Sequence, residues 1–239
     1  MKPPDAYSGD AFSINFPSEM LEDLEDLPNY NNWIVSQFAP ALKGRAAEIG
    51  AGLGTISHRI LPFVDSLDLV EPAPELAAQL REKFASEASI RVLDQTLEAW
   101  SIAAGPDEFD GIVLVNVLEH IKDDRAAAEV FHRSLKPGGR LMIFVPALPR
   151  LYSKLDHAYG HYRRYTRSTL RTCIDSAGFD IEKLHYVDFA GVFPWWLLNT
   201  VLGKTSFHAP SLRFYDRYVV PLTRTCESVL RPPLGKNLI

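Results

Sequence analysis

The chain reads as an α/β protein built on a doubly wound parallel sheet, and three observations predict it. Strand-like apolar runs alternate with helical patterns across residues 46–145. The run 111–116 holds Ile, Val and Leu without polar alternation, as in a strand covered on both faces. A glycine-rich turn, Gly50-Ala51-Gly52-Leu53-Gly54, follows the first strand.

Each element has its own signal. Over 1–28, Leu21, Leu24 and Leu27 fall at helical spacing beside acidic residues and predict a short cover helix. A second helix, 29–39, puts Trp33, Ile34 and Phe38 on one face and stops at Pro40. Strands are predicted at 46–49, 67–71, 90–94, 111–116 and 140–145. Between them lie a helix at 56–61 and one opened by Pro74 with Leu76, Leu80 and Phe84 in line. A further helix is capped by Asp123 or Asp124, turns Ala127, Val130, Phe131 and Ser134 inward, and closes at Gly138.

The remainder departs from simple alternation. Residues 146–167 form a polar and aromatic insertion, 168–177 a helix closed by Gly178, and 179–186 a sixth strand. A very apolar helix is expected at 194–202. An amphipathic one follows at 212–230, with Tyr215, Tyr218, Val219, Leu222 and Cys226 inward and a bend at Pro221. Residues 237–239 begin a last strand. Neither an internal repeat nor a linker appears, so the expectation is one domain over 1–239: a helical cover (1–40), a ligand-binding core (41–145) and a rim of insertion, helices and final strands (146–239).

Composition narrows the class. A chain of 239 residues can bury roughly 70% of its unfolded surface in one core without metals or disulfides. The net charge of −5 lacks the basic field that collects phosphates, so no nucleic-acid partner is expected. Cys173 and Cys226 have neither the spacing nor the number of a disulfide framework and read as reduced thiols of a cytoplasmic protein. The N-terminus lacks the basic start and apolar run of a signal peptide. The longest uncharged apolar run, 189–201, is broken by Pro194 and falls short of the roughly 20 residues that span a bilayer. No metal ligand set is expected.

The glycine turn carries the first chemical signal, and two details favour a sulfonium cofactor over a dinucleotide. Thr55 stands where a dinucleotide fingerprint needs its last glycine, and an acid, Glu48, immediately precedes Gly50, placed to receive a cationic amino group. Glu71 ends the second strand, where a carboxylate reaches ribose hydroxyls; a solvated strand-end acid is the alternative. Asp94-Gln95-Thr96 ends the third, where a carboxylate can accept from an adenine amino group or cap a helix or turn.

Together, Glu48 to Gly54, Glu71, Asp94, Asn116-Val117-Leu118-Glu119-His120-Ile121 and Leu135-Lys136-Pro137-Gly138-Gly139-Arg140-Leu141 resemble successive motifs of the class I S-adenosylmethionine-dependent methyltransferases. The Leu118-Glu119-His120 step is similar to the branch containing ubiquinone-biosynthesis and many small-molecule methyltransferases. The resemblance covers about residues 29–186. It implies a Rossmann-like sheet of seven strands, mostly parallel with the last antiparallel, and S-adenosylmethionine over the carboxyl ends of the first four. It also implies that Gly50, Gly52, Glu71, Asp94 and Asn116 line that site, with Ala51, Gly54, Pro72, Gln95, Thr96 and Val117 beside them. Val117 follows Asn116 where DNA-base methylases carry Asn-Pro-Pro-Tyr, which argues against a base-amino acceptor.

The implied activity is methyl transfer to O, N or C of a small-molecule acceptor, anionic or lipophilic. Such an in-line displacement asks the protein mainly to align the nucleophile and exclude water. A hydroxyl acceptor also needs a base, for which His120, His157 and His161 are candidates. Tyr162, Arg163, Arg164 and Tyr165 offer phenols and guanidinium forks to an anionic acceptor, or simply form a structural loop. The aromatic stretch from Trp195 to Leu202 reads as a core helix or dimer face, or as an apolar lid or peripheral membrane contact. Two other readings fit the glycine turn: a nicotinamide-dependent oxidoreductase, and a non-catalytic S-adenosylmethionine-binding module.

Overall fold

The computed structural model describes residues 27–206 and 208–239, so the cover helix expected over 1–28 lies outside the described residues except for its last two positions. The strands are β1 (Arg45–Ile49), β2 (Ser66–Val70), β3 (Ile90–Leu93), β4 (Phe109–Val115), β5 (Leu135–Pro146), β6 (Tyr186–Val187) and β7 (Asn237–Leu238). They form one seven-stranded sheet in the order β3-β2-β1-β4-β5-β7-β6. The first five pair in parallel, and β7 runs antiparallel to both β5 and β6. Ile49 is in register with Val70 on one side and Leu114 on the other, so β1, β2 and β4 end level at the sheet's carboxyl edge. There the order reverses around β1, which is where open α/β sheets form a ligand crevice.

Both faces are covered, as the unalternating run in β4 predicts. Ala47, Ile49, Ile112 and Leu114 face one core with Trp100, Phe131 and Leu170; Ala46, Leu67, Leu69 and Val113 face the other with Trp33, Ile34, Ile60 and Leu80. The helices are α1 (Pro28–Phe38), α2 (Ser57–Ile60), α3 (Pro74–Lys83), α4 (Leu97–Ala103), α5 (Asp124–Ser134), α6 (Lys154–Ala158) and α7 (Arg167–Ser176), then α8 (Val192–Trp195), α9 (Ala209–Phe214) and α10 (Val220–Val229). Asp123 caps α5 by accepting from the Ala126 N–H at 3.0 Å.

Several expectations need correction. The sixth strand is Tyr186–Val187, not 179–186, because β7 offers only two residues to pair with. Phe179, Ile181 and Leu184 instead pack as side chains against the α7 face of the core. Gly138 does not close α5, which ends at Ser134; Leu135 already pairs with Phe109, and Gly138 turns the chain at φ +78. The helices α4 and α6 were not expected.

At the C-terminal end, α8 runs on as wide, i→i+5 turns over Trp196–Val201, and a second such stretch, Tyr215–Val219, separates α9 from α10. Pro221 has no N–H, and its ring crowds the carbonyl of Arg217 four residues back, so the helix widens ahead of the proline. The facing also differs from the apolar pattern: Tyr218 (57% exposed), Leu222 (66%) and Cys226 point outward, while Asp216 and Thr223 are buried.

Two buried aspartates explain that inversion. Asp216 accepts from the backbone N–H groups of Tyr30 (2.8 Å) and Asn29 (3.2 Å), capping an α1 that has no side-chain cap of its own. Asp188 accepts from the Tyr30 and Tyr215 hydroxyls and pairs with Lys236 Nζ at 2.9 Å. Replacing Asp216 with alanine leaves these donors buried without an acceptor. The expected cost is about 2 kcal/mol, or roughly 4–8 °C in Tm, read by urea and thermal unfolding against wild type.

Candidate active site

A cavity of about 480 Å³ opens where β1, β2 and β4 end. Its floor is the glycine turn. Gly50 adopts φ +71, and a Cβ there would stand 2.7 Å from Val117 Cγ2, so only glycine fits. Glu71, the first residue past β2, holds the turn: Gly52 N–H donates to its Oε2 (2.8 Å) and Ala73 N–H to its Oε1 (3.0 Å). Burial pushes the Glu71 carboxyl up and the nearby Asp94 charge adds to this, while the two backbone donors pull it back.

The predicted cofactor residues divide. Glu48, Gly50, Ala51, Gly52, Glu71, Pro72, Asn116 and Val117 line the cavity. Asn116 sits at φ +53, a conformation asparagine tolerates, with its N–H bonded to the Phe144 carbonyl at 2.8 Å. Gly54 (φ +76) lies just behind, where a Cβ would strike Phe84 and Leu80. Asp94, Gln95 and Thr96 are not among the lining residues; Thr96 caps α4 by accepting from the Ala99 N–H at 3.2 Å. The sequence reading missed Tyr30, Asn31 and Ile34 of α1, which roof the cavity.

Glu48 is buried beneath the glycine turn and accepts from the Ser57 hydroxyl. Burial pushes its carboxyl up to about 8; the Ser57 hydrogen bond opposes this and the Glu71 charge adds to it. The raised folded pKa means that protonated Glu48 favours the fold. Its contribution is complete below the ordinary value near 4.5 and is lost as pH rises through about 8. An ammonium group bound beside Glu48 favours the ionised form. Affinity for an amino-acid-bearing ligand should therefore rise up to about tenfold per unit between about pH 6 and 8. Glu48→Gln should flatten both slopes, as calorimetry and unfolding at stepped pH would show.

The insertion after β5 folds back over the carboxyl edge. Tyr165 N–H donates to the Pro146 carbonyl, and Tyr162 N–H to the carbonyl of Glu119 in the tight Leu118–His120 turn after β4, both at 2.9 Å. His120 lines the cavity and stacks edge-on with His161 at 4.6 Å between ring centroids. Burial drives its pKa well below the ordinary value, and the His161 charge does the same, against a hydrogen bond with the Tyr159 backbone. His120 is thus held neutral. His157 is brought to neither histidine: it is exposed on α6.

The proposed acceptor-binding residues are engaged within the chain. Arg164 is buried, donates from Nε to Asp156 Oδ1 (2.8 Å) and from a terminal nitrogen to the Ala147 carbonyl (3.1 Å), and lies over the Trp195 ring. Arg163 pairs with Asp124 and donates to the Lys122 carbonyl. Tyr165 is buried with its hydroxyl on Asp124 at 2.9 Å; Tyr162 is partly exposed at the rim. In the apolar stretch, Trp195 Nε1–H donates to the Leu151 carbonyl, while Trp196, Leu198, Val201 and Leu202 are exposed. Among the described residues no helix is long and apolar enough to cross a membrane.

The strand order, the antiparallel β7 and the glycine turn beneath a strand-end acid are those of the class I methyltransferase fold. Residues 47–141 match the family model described as a methyltransferase domain. The chain is 32% identical over 144 residues to a malonyl-[acyl-carrier protein] O-methyltransferase of a Paenibacillus species, covering 55% of this chain and 52% of the relative. It is 31% identical over 111 residues to the ubiquinone biosynthesis O-methyltransferase of Xylella fastidiosa, covering 46% and 44%. The chain therefore spans about half the length of these curated relatives. Among solved structures, a SAM-dependent methyltransferase from Aquifex aeolicus superposes with a TM-score of 0.59 at 14% identity, covering 72% of this chain and 94% of that one.

Proposed function

We propose that the protein transfers the methyl group of S-adenosylmethionine to an oxygen of a small-molecule acceptor. The observation that carries this is the conjunction of Glu71 at the end of β2, buried Glu48 before Gly50, and a Cβ-intolerant glycine turn, all on one cavity. The residues fit the cofactor. Glu71 offers carboxylate oxygens to ribose hydroxyls, Glu48 a counter-charge to the ammonium group, and the glycines allow close backbone approach. The cofactor supplies an electrophilic methyl group with a neutral leaving group. The chain's part is to align the acceptor, exclude water beneath α1, and take up a hydroxyl proton at the neutral His120 ring.

Oxygen as the acceptor atom is supported by the relatives named O-methyltransferases. A lipophilic acceptor, or contact with a membrane surface, is supported by the exposed Trp196, Val201 and Leu202. The two free thiols, Cys173 and Cys226, support a reducing cytoplasmic setting. Calorimetry with S-adenosylhomocysteine should show saturable, one-site binding. Its absence, or thermal stabilisation by NAD instead, would defeat the proposal in favour of an oxidoreductase. Binding without transfer of labelled methyl to any acceptor in a broad screen would favour a non-catalytic module.

A further inference from the structure

Six other acids are buried among the described residues, and each has a hydrogen-bond donor: Glu48, Asp68, Glu71, Asp156, Asp188 and Asp216. Glu119 is the exception. Its side chain is 0% exposed, and neither carboxylate oxygen has a hydrogen-bond partner. A carboxylate taken out of water without a donor is expensive, and a buried one that persists calls for a cation.

What Glu119 faces is a pair of imidazoles. One ligand-capable atom each of Glu119, His120 and His161 lie within 4.8 Å of one another, and His161 Nε2 is 4.0 Å from Glu119 Oε1. His161 is oriented from behind. Its Nδ1 is 2.9 Å from Asp156 Oδ1, which commits Nδ1 to that carboxylate and leaves Nε2 as the nitrogen directed at Glu119. Asp156 is itself fixed by the Ser153 N–H and hydroxyl (both 2.8 Å) and by Arg164. A carboxylate behind an imidazole is the arrangement that holds a metal-bound histidine in one tautomer and rotamer.

We propose that Glu119, His120 and His161 bind a divalent cation of the borderline class, such as zinc or iron(II). One carboxylate and two imidazoles suit such an ion better than magnesium or calcium, which prefer all-oxygen shells. Ligand atoms each about 2.1 Å from a tetrahedral ion stand roughly 3.4 Å apart, so the cluster closes by about an ångström when loaded. Three protein ligands leave coordination positions open, and His120 places the ion at the wall of the cavity, where a loaded site makes His120 a ligand and confines its role as proton acceptor to the metal-free protein. His120 adjoins Glu119, but His161 comes from the insertion after β5, so no ligand spacing announces the site in the primary structure.

Untagged full-length protein, stripped with a chelator and titrated with cobalt(II), should bind about one equivalent and develop visible d–d absorption. Glu119→Gln keeps size and removes the charge; it and His161→Gln should each weaken cobalt binding at least about tenfold. His208→Gln, at an exposed histidine elsewhere, should leave it unchanged. S-adenosylhomocysteine binding, measured on the same samples, reports folding and the cofactor cavity separately. Retained S-adenosylhomocysteine binding without a cobalt spectrum would overturn the metal site alone, as would cobalt binding indifferent to Glu119→Gln. Cobalt binding without S-adenosylhomocysteine binding would overturn the methyltransferase reading and leave the metal site standing.

Discussion

Arg164→Met is expected to destabilise the fold by about 3–5 kcal/mol, the range for removing one partner of a buried ion pair. Methionine retains much of the stem that packs on Trp195, so most of the loss falls on Asp156, whose carboxylate stays buried. Burial acts to raise the pKa of Asp156, yet the His161 hydrogen bond and the Arg164 charge hold it below its ordinary value. Without Arg164 that balance fails and the turn carrying His161 loosens. Urea unfolding followed by tryptophan fluorescence measures the loss; a shift under about 1 kcal/mol would mean that Ser153 and His161 satisfy Asp156 alone. Arg163→Met provides the contrast. Its partner Asp124 is less buried, and the expected cost is about 1 kcal/mol or less.

Glu71→Ala should weaken S-adenosylhomocysteine binding by about 1.5–3 kcal/mol, roughly 10- to 150-fold in Kd. Two losses combine. The ligand loses a charged acceptor, and the N–H groups of Gly52 and Ala73 lose the oxygens that fix the glycine turn. Glu71→Gln keeps one acceptor oxygen and should fall between wild type and alanine. An unchanged Kd for the alanine variant would remove Glu71 from the cofactor site.

The sheet was legible because its signals are local. The runs that became β1, β2, β3 and β4 are apolar segments bounded by turn residues, and the glycine turn sits directly after the first. Six of the seven strands fall within a few residues of expectation. Two short helices were not legible: α4 and α6 span seven and five residues, too few turns for a periodic stripe to show, whereas the still shorter α2 was placed by its position after the glycine turn. In the C-terminal helix, Tyr215 and Val219 face inward as read but Tyr218, Leu222 and Cys226 do not, because apolar periodicity assumes an apolar interior. Here the interior presents Asn29, Tyr30 and Asp188, and the helix answers with Asp216 and Tyr215.

The site shows the same divide. Residues on the strand ends could be placed by order alone, whereas His161 reaches Glu119 and His120 only through the fold of the insertion. Arg163 and Arg164 looked like ligands for an anion because the sequence cannot show Asp124 and Asp156 beside them.

The roof of the cofactor cavity has a bearing on how the chain assembles during synthesis. Asn29 and Tyr30 of α1 are tethered to Asp216, and the Tyr30 hydroxyl to Asp188 and to Asn237 Oδ1 at 2.9 Å. On a ribosome the helix emerges well before its polar anchors, which lie 158 and 207 residues downstream of Tyr30. Trp33, Ile34 and Phe38 can pack on β1, β2 and β4 as soon as those strands are made, whereas the tethers of Asn29 and Tyr30 form only later. The floor of the cavity is thus made well before the residues that fix its roof.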